Sequence, residues 1–267
     1  MPAHGKRRAL GQHFLRDKGV QTAIVSAALE LARGAGTETL LEIGPGKGAI
    51  TLPLLDRLHE APKVKRLVVC EKDRELSTYW KAEALGNPAL AVEPGDFLEL
   101  PRERWMAEPS PGVVSNLPYS TGTAILDRLA REELPFMVLM FQAEVAQRLR
   151  ASPSTKAWGS LSLWIQNRWD VTRLCAVPPG AFSPPPEVDS EVVVLRRRAL
   201  PRVAVASEAA WEGLLKACFA HRRKMLRSSL APELRAALQA ASIDGTKRAE
   251  ALDWAEWGRF IAAVSKT

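Results

Sequence analysis

The chain has 267 residues, of which 46% are hydrophobic and 25% charged, and its formal net charge is +7. That length supports one substantial core with room for a small second domain, and that composition excludes disorder as the main theme. The positive balance favours a polyanionic partner, while Cys70, Cys175 and Cys218, widely spaced and without a C-x-x-C pair, read as buried thiols rather than a disulfide framework or a zinc site.

Residues Met1 to Leu15 form a basic stretch running into Gly11-Gln12-His13-Phe14-Leu15, and Lys6, Arg7 and Arg8 are suited to neutralising phosphates. The start has no apolar h-region, and no apolar run reaches the roughly 18 residues of a membrane span, so a cytoplasmic protein with no membrane partner is expected. Val20, Ile24, Ala28 and Leu31 recur at helical spacing and predict a helix over Asp17 to Arg33. The stretch TLLEIGPGKGAIT, Thr39 to Thr51, is a strand, a glycine turn and a helix start. Glycines at alternating positions let the backbone turn sharply and a flat ligand lie against it. Gly44-x-Gly46-x-x-Ala49 also satisfies the dinucleotide fingerprint, but Glu42, two residues before the first glycine, would repel a pyrophosphate and attract a cationic ligand such as S-adenosylmethionine.

Arg66 to Asp73 predicts a second strand with Glu71 at its exit, positioned to accept hydrogen bonds from ribose hydroxyls. Ala89 to Glu93 predicts a third strand leading to Gly95-Asp96-Phe97, where Asp96 suits an exocyclic adenine amine and Phe97 offers an apolar surface. A fourth strand ends in Asn116-Leu117-Pro118-Tyr119, a loop stiffened by its proline, and Phe136 to Phe141 is a fifth, fully apolar strand. Leu161 to Trp169 and Val171 to Val177 read as further strands, followed by the rigid Pro178 to Pro186 loop and a last strand over Glu191 to Leu195. Phe182, held among prolines, is either a lid over a base or a plug over the core. Beyond Arg198 only helical patterns remain, carrying the basic segment Arg222-Arg223-Lys224 and Arg227. Strands alternating with helices predict an α/β fold with a mainly parallel, doubly wound sheet whose strand ends bring Glu42, Glu71, Asp96 and Asn116 together.

The ordered set Gly11 to Leu15, the Glu42 glycine loop, Glu71, Gly95-Asp96, Asn116 to Tyr119, Phe182 to Val188 and Phe219 to Lys224 resembles the ribosomal RNA adenine N6,N6-dimethyltransferases, in particular the type acting on small-subunit RNA. The resemblance implies a Rossmann-like methyltransferase domain over residues 1–198 and a small helical RNA-binding domain over 199–267. It further implies S-adenosylmethionine as cofactor. Gln12, His13 and Gly44 would hold its methionine part, Glu71 its ribose and Asp96 its adenine, with Leu15, Glu42, Gly46, Lys72 and Phe97 completing the site. Asn116 and the Leu117 carbonyl would receive the target amine, in a loop shaped by Pro118, and Tyr119 and Phe182 would enclose the adenine. Arg222, Arg223, Lys224 and Arg227 would grip RNA. The implied reaction gives N6,N6-dimethyladenine in 16S RNA, at two adjacent adenines of a 3'-terminal hairpin loop, by a monomer acting on the maturing small subunit. Gly122 stands where the family usually has a hydroxyl residue, and Ser228 where it usually has Asn. A nicotinamide oxidoreductase and a non-catalytic RNA-binding assembly protein are the alternative classes.

Overall fold

Continuous apolar runs and helical capping resolve, in a computed structural model that describes residues 13–265, into a seven-stranded sheet and its covering helices. The elements of the first half are β1 (Phe14–Leu15), α1 (Lys18–Ala35), β2 (Thr39–Ile43), α2 (Thr51–Arg57), β3 (Arg66–Glu71), α3 (Arg74–Leu85), β4 (Leu90–Pro94), α4 (Arg102–Trp105), β5 (Gly112–Asn116), α5 (Gly122–Ala130) and β6 (Phe136–Gln142). There follow α6 (Ala143–Leu149), α7 (Ser160–Gln166), β7 (Trp169–Val177), β8 (Phe182–Ser183) and β9 (Ser190–Arg197). The chain ends in α8 (Glu208–Phe219), α9 (Leu226–Ser229), α10 (Pro232–Ala240) and α11 (Trp254–Val264).

Helix α1 begins where the Asp17 carboxylate accepts the Val20 N–H and stops at Gly36, whose φ of 66° no branched residue would adopt cheaply. It buries Ile24, Val25, Ala28 and Leu29 in the same cluster as Leu40, Val69, Val114 and Val138 of the strands. The alternate strand residues Leu41, Val68, Val113, Met137 and Leu139 are buried as well, so both sheet faces are covered, as a parallel sheet requires. The sheet order is β4-β3-β2-β5-β6-β9-β7, with β4, β3, β2, β5 and β6 mutually parallel and β9 antiparallel to β6. The reversal of direction of travel from β2 lies between β2 and β5, the switch point at which such sheets bind ligands.

Gly112, opening β5, has no space for a side chain: a Cβ there would stand 2.1 Å from the buried Phe136 ring. Gly112→Ala is therefore expected to lose about 1–3 kcal/mol of stability by overpacking, read as a lower urea midpoint at unchanged slope.

The chain divides into two compact units, residues 1–146 with 171–197 and residues 147–170 with 198–267. The boundary expected after residue 198 thus differs by one segment. Leu161 to Gln166, expected as strand, is helical, because Ser162 Oγ accepts the Gly159 N–H and donates to the Arg148 carbonyl at 2.6 Å, capping a turn. Trp158 and Leu163 then join the core of the helical unit beside Trp211, Leu214, Trp257 and Phe260. In that unit the Ser207 side chain caps α8 and Pro232 opens α10. Cys70 and Cys218 are buried, whereas Cys175 is only half-buried.

Candidate active site

Within the α/β unit, the loops leaving β2, β3, β4 and β5 and the segment around β1 line one open cleft of about 1160 Å³. Its walls include His13, Leu15, Glu42, Gly44, Gly46, Glu71, Lys72, Asp96, Phe97, Asn116, Leu117, Pro118 and Tyr119, so thirteen residues expected from the sequence meet there. Gln12 and the basic Lys6, Arg7 and Arg8 lie outside the described residues.

The glycine loop is held from several sides. The Gly44 N–H donates to the Cys70 carbonyl at 2.8 Å, the Gly46 N–H to Glu71 Oε2 at 3.1 Å, and buried Trp80 donates its indole N–H to the Gly46 carbonyl at 3.0 Å. Gly48 has φ 85°, and a Cβ there would stand 2.8 Å from Trp80, so only glycine lets the loop pack this closely. Trp80 is a loop support that sequence reading missed; its only signal was a large aromatic on the helix after the second strand.

Glu71 also accepts the Asp73 N–H at 2.9 Å, and burial raises its pKa against the pull of those backbone donors. Glu42 is 1% exposed and is pushed up to about 8, first by burial and further by the charge of Glu71, while the Thr51 hydroxyl, donating at 2.8 Å, works against the rise. Two carboxylates facing one cleft, neither with a cationic partner among the described residues, fit a positively charged ligand and oppose a pyrophosphate. Asp96 sits at the far end, its Oδ1 accepting the Leu98 N–H at 3.0 Å and its Oδ2 paired with Lys72 at 2.6 Å; the Lys72 hydrogen bond is the main reason its pKa is lowered.

The acceptor side is the loop after β5. Ser115, 1% exposed, donates its hydroxyl to the Ile43 carbonyl and so ties the end of β5 to the last residue before the glycine loop. Among the described residues nothing hydrogen-bonds the Asn116 side chain, which faces the cleft. The Pro118 carbonyl accepts the Thr121 and Gly122 N–H groups, closing the loop onto α5. A Cβ on Gly122 would meet Leu117 and Phe141 at 3.4 and 3.6 Å, ordinary contacts, so the missing hydroxyl residue is a matter of chemistry and not of space. Tyr119 shares a 2.6 Å hydrogen bond with Ser190 and stacks on His13 at 5.8 Å, and the His13 ring bonds the Pro184 carbonyl. Burial raises the Tyr119 pKa.

Phe182 departs from the expectation that it encloses a base. It is 4% exposed, packs in the core, and pairs through its backbone with Leu15, leaving neighbouring Ser183 on the cleft wall. It is the plug of the two readings the sequence allowed. Ala181 explains the fixation: its carbonyl accepts the N–H groups of both Arg16 and Asp17.

The basic segment belongs to the helical unit, and its members differ. Arg222 spends its guanidinium inside that unit, donating to the Lys156 and Trp158 carbonyls at 3.0 and 2.8 Å and pairing with Glu250 at 3.2 Å. Arg223, Lys224 and Arg227 are exposed, as is Ser228.

The sequence profile of the ribosomal RNA adenine dimethylase family matches residues 3–266. The chain belongs to this family. It is 39% identical to a ribosomal RNA small subunit methyltransferase A of Syntrophotalea carbinolica, over 98% of this chain and 97% of that one. The corresponding protein of Geobacter sulfurreducens is 40% identical over 97% and 95%. Among solved structures, a dimethyladenosine transferase of Plasmodium falciparum shares the fold with a TM-score of 0.77 at 23% identity, covering 95% of this chain and 98% of that one. The 23S rRNA methyltransferase ErmE superposes with a TM-score of 0.67 at 25% identity, covering 94% and 99%. Family membership and the two-carboxylate cleft converge on the same ligand chemistry, a cation carried on a nucleoside. Among the described residues no helix is long and apolar enough to cross a membrane.

Proposed function

We propose that this chain transfers methyl groups from S-adenosylmethionine to adenine N6 of small-subunit (16S) ribosomal RNA, giving N6,N6-dimethyladenine at two adjacent adenines of a 3'-terminal hairpin loop. It acts as a monomer on the maturing subunit in the cytoplasm. The observation that carries this reading is the Ser115 tie between the Asn116–Tyr119 loop and the Glu42 glycine loop, in a chain of the adenine dimethylase family. Such a tie fixes a nucleophile's loop against a cofactor's loop, which is what a transfer between two bound groups needs.

When bound, S-adenosylmethionine supplies an electrophilic methyl on a sulfonium. Glu42 and the Gly44 and Gly46 backbone hold its charged end together with Gln12, His13 and Leu15; Glu71 takes the ribose hydroxyls, and Asp96, Lys72 and Phe97 the adenine. Asn116 and the Leu117 carbonyl accept the N–H groups of the target amine, turning its lone pair out of conjugation with the ring and towards the methyl. The proton left on N6 becomes acidic on alkylation, so no strong general base is required, and oriented dipoles carry the catalysis. Tyr119 forms the wall against which the extruded base rests, since a stacked adenine is out of reach. Mapping methyl groups by mass on small-subunit RNA, with and without the protein, tests the reading: adenine N6 gains them, and methylation of another base, or of none, overturns it.

Glu42 makes the cofactor's affinity depend on pH. Its folded pKa of about 8 lies above the ordinary carboxylate value, so the free protein loses stability as pH rises from the unfolded pKa through the folded one. A cation in the cleft favours the ionised form and reverses that loss. Between about pH 5.5 and 7.5, below the range of an α-amino group, binding should release a proton and affinity should rise by up to about tenfold per pH unit. Calorimetry in buffers of different ionisation heat reads the proton directly, and Glu42→Gln is expected to abolish both the slope and the release.

A further inference from the structure

Arg128 lies on α5, the helix that begins three residues after Tyr119. Its guanidinium donates through Nη1 to the Phe97 carbonyl and through Nη2 to the Leu100 carbonyl. The same group stands 5.0 Å from the Phe97 ring centroid and 5.4 Å from that of Trp105, and those two rings meet at 5.0 Å. Both aromatics are buried, at 3% and 1% exposure. All of these partners belong to the segment that leaves β4, which carries Asp96 and Phe97 into the cleft.

Besides Arg128, that segment is held by its own backbone and by two ion pairs of exposed cations, Lys72 with Asp96 at 2.6 Å and Arg102 with Glu132 at 2.8 Å. The Leu98 N–H reaches the Asp96 carboxylate at 3.0 Å, the Glu99 and Leu100 N–H groups reach the Asp96 carbonyl at 2.9 and 3.0 Å, and Gly95 donates to the Glu71 carbonyl at 2.9 Å. Local backbone bonds shape a turn, and ion pairs made by cations more than half exposed hold it only loosely against the next loop. A planar guanidinium with two donors aimed at two carbonyls does fix it, and a lysine ammonium cannot reproduce the fork. Arg128 also adds to the positive charge that keeps Asp96 ionised, behind the larger contribution of Lys72.

We infer that Arg128 is a positioning residue for adenine recognition in the cofactor, clamping the Asp96–Phe97 turn to the helix that carries the acceptor loop. This rests on the proposal that the cofactor's adenine lies at Asp96. The clamp sets the distance between the two ends of the transfer site, so its loss is felt as loss of cofactor fit rather than of chemistry.

The test compares calorimetric binding of S-adenosylhomocysteine and S-inosylhomocysteine, which differ at the exocyclic amine, to wild type, Arg128→Met and Arg128→Lys. Arg128→Met is expected to lose about tenfold in affinity for the adenine ligand and much less for the hypoxanthine one, so that discrimination collapses. The KM for S-adenosylmethionine rises with it, while kcat at saturating cofactor stays within about twofold. If Arg128→Met does not fold, Arg128→Lys decides, with an expected loss of discrimination of about threefold because the charge remains and the fork does not. Wild-type discrimination in a folded Arg128 variant, or an equal loss for both ligands, overturns the role. Asp96→Ala, which deletes the acceptor, separates the two readings: unchanged discrimination there removes the adenine from Asp96, whereas lost discrimination there with unchanged Arg128 variants removes Arg128 alone.

Discussion

Asn116→Ala is expected to slow methyl transfer on the order of 10²–10³-fold while leaving cofactor affinity within about twofold, because its amide acts on the acceptor nitrogen as charge develops and not on the bound cofactor. The geometry supports so clean a separation. Asn116 sits at the end of β5, registered against Met140 on one side and tied through its neighbour Ser115 to Ile43 on the other, so removing its amide leaves the loop's own fastenings in place. Tyr119→Ala is expected to behave differently, weakening capture of the base as well as the rate, since the ring offers surface and its hydroxyl is already engaged by Ser190. Single-turnover methylation of ribosomal RNA, with calorimetry on the same preparations, checks both. Equal single-turnover rates for wild type and Asn116→Ala would remove Asn116 from the chemistry.

The sheet and the cofactor side of the cleft were legible because they depend on local rules. An apolar run followed by glycines, and an acid or amide at the exit of each later strand, need only the parallel βαβ topology to bring Glu42, Glu71, Asp96 and Asn116 to one edge. What was hidden depends on groups distant in sequence. The short apolar run at Leu161 to Ile165 suits a strand or a buried helix equally, and the Ser162 hydroxyl, bonding back to Arg148, decides for the helix. Phe182 could not be placed until Leu15 paired with it, for a proline-held aromatic covers whatever the fold puts beneath it. Trp80, Thr51 and Arg128 act on loops 34, 9 and 31 or fewer residues away, and nothing in their immediate sequence marks them. Arg222 is the instructive case in the basic segment: four cations within six positions look like one surface, yet one of them is a structural tie.

That distinction reshapes the prediction for RNA recognition. A single extruded adenine offers too little surface to select one site among many, so selection has to come from RNA shape and from phosphates gripped away from the catalytic pocket. Within the basic segment the cations left to grip them are Arg223, Lys224 and Arg227, whose side chains are exposed, while the Arg222 guanidinium holds the Lys156 to Trp158 turn and Glu250. Changing Arg223, Lys224 and Arg227 together to Glu is expected to abolish productive RNA binding. Each phosphate that is no longer neutralised also lowers the slope of log affinity against log salt by roughly 0.7–0.9, so the combined change should flatten it by about 2–3 units. Cofactor affinity should be unchanged, because every residue lining the cleft belongs to the α/β unit. Arg222→Glu alone should instead lower the thermal midpoint, since it places a carboxylate against two carbonyls and the Glu250 carboxylate. A salt titration of small-subunit RNA binding, with a melting curve for each variant, reads the two effects separately. An unaltered slope in the folded triple variant would mean that these three cations are only solvated and that the RNA phosphates dock elsewhere.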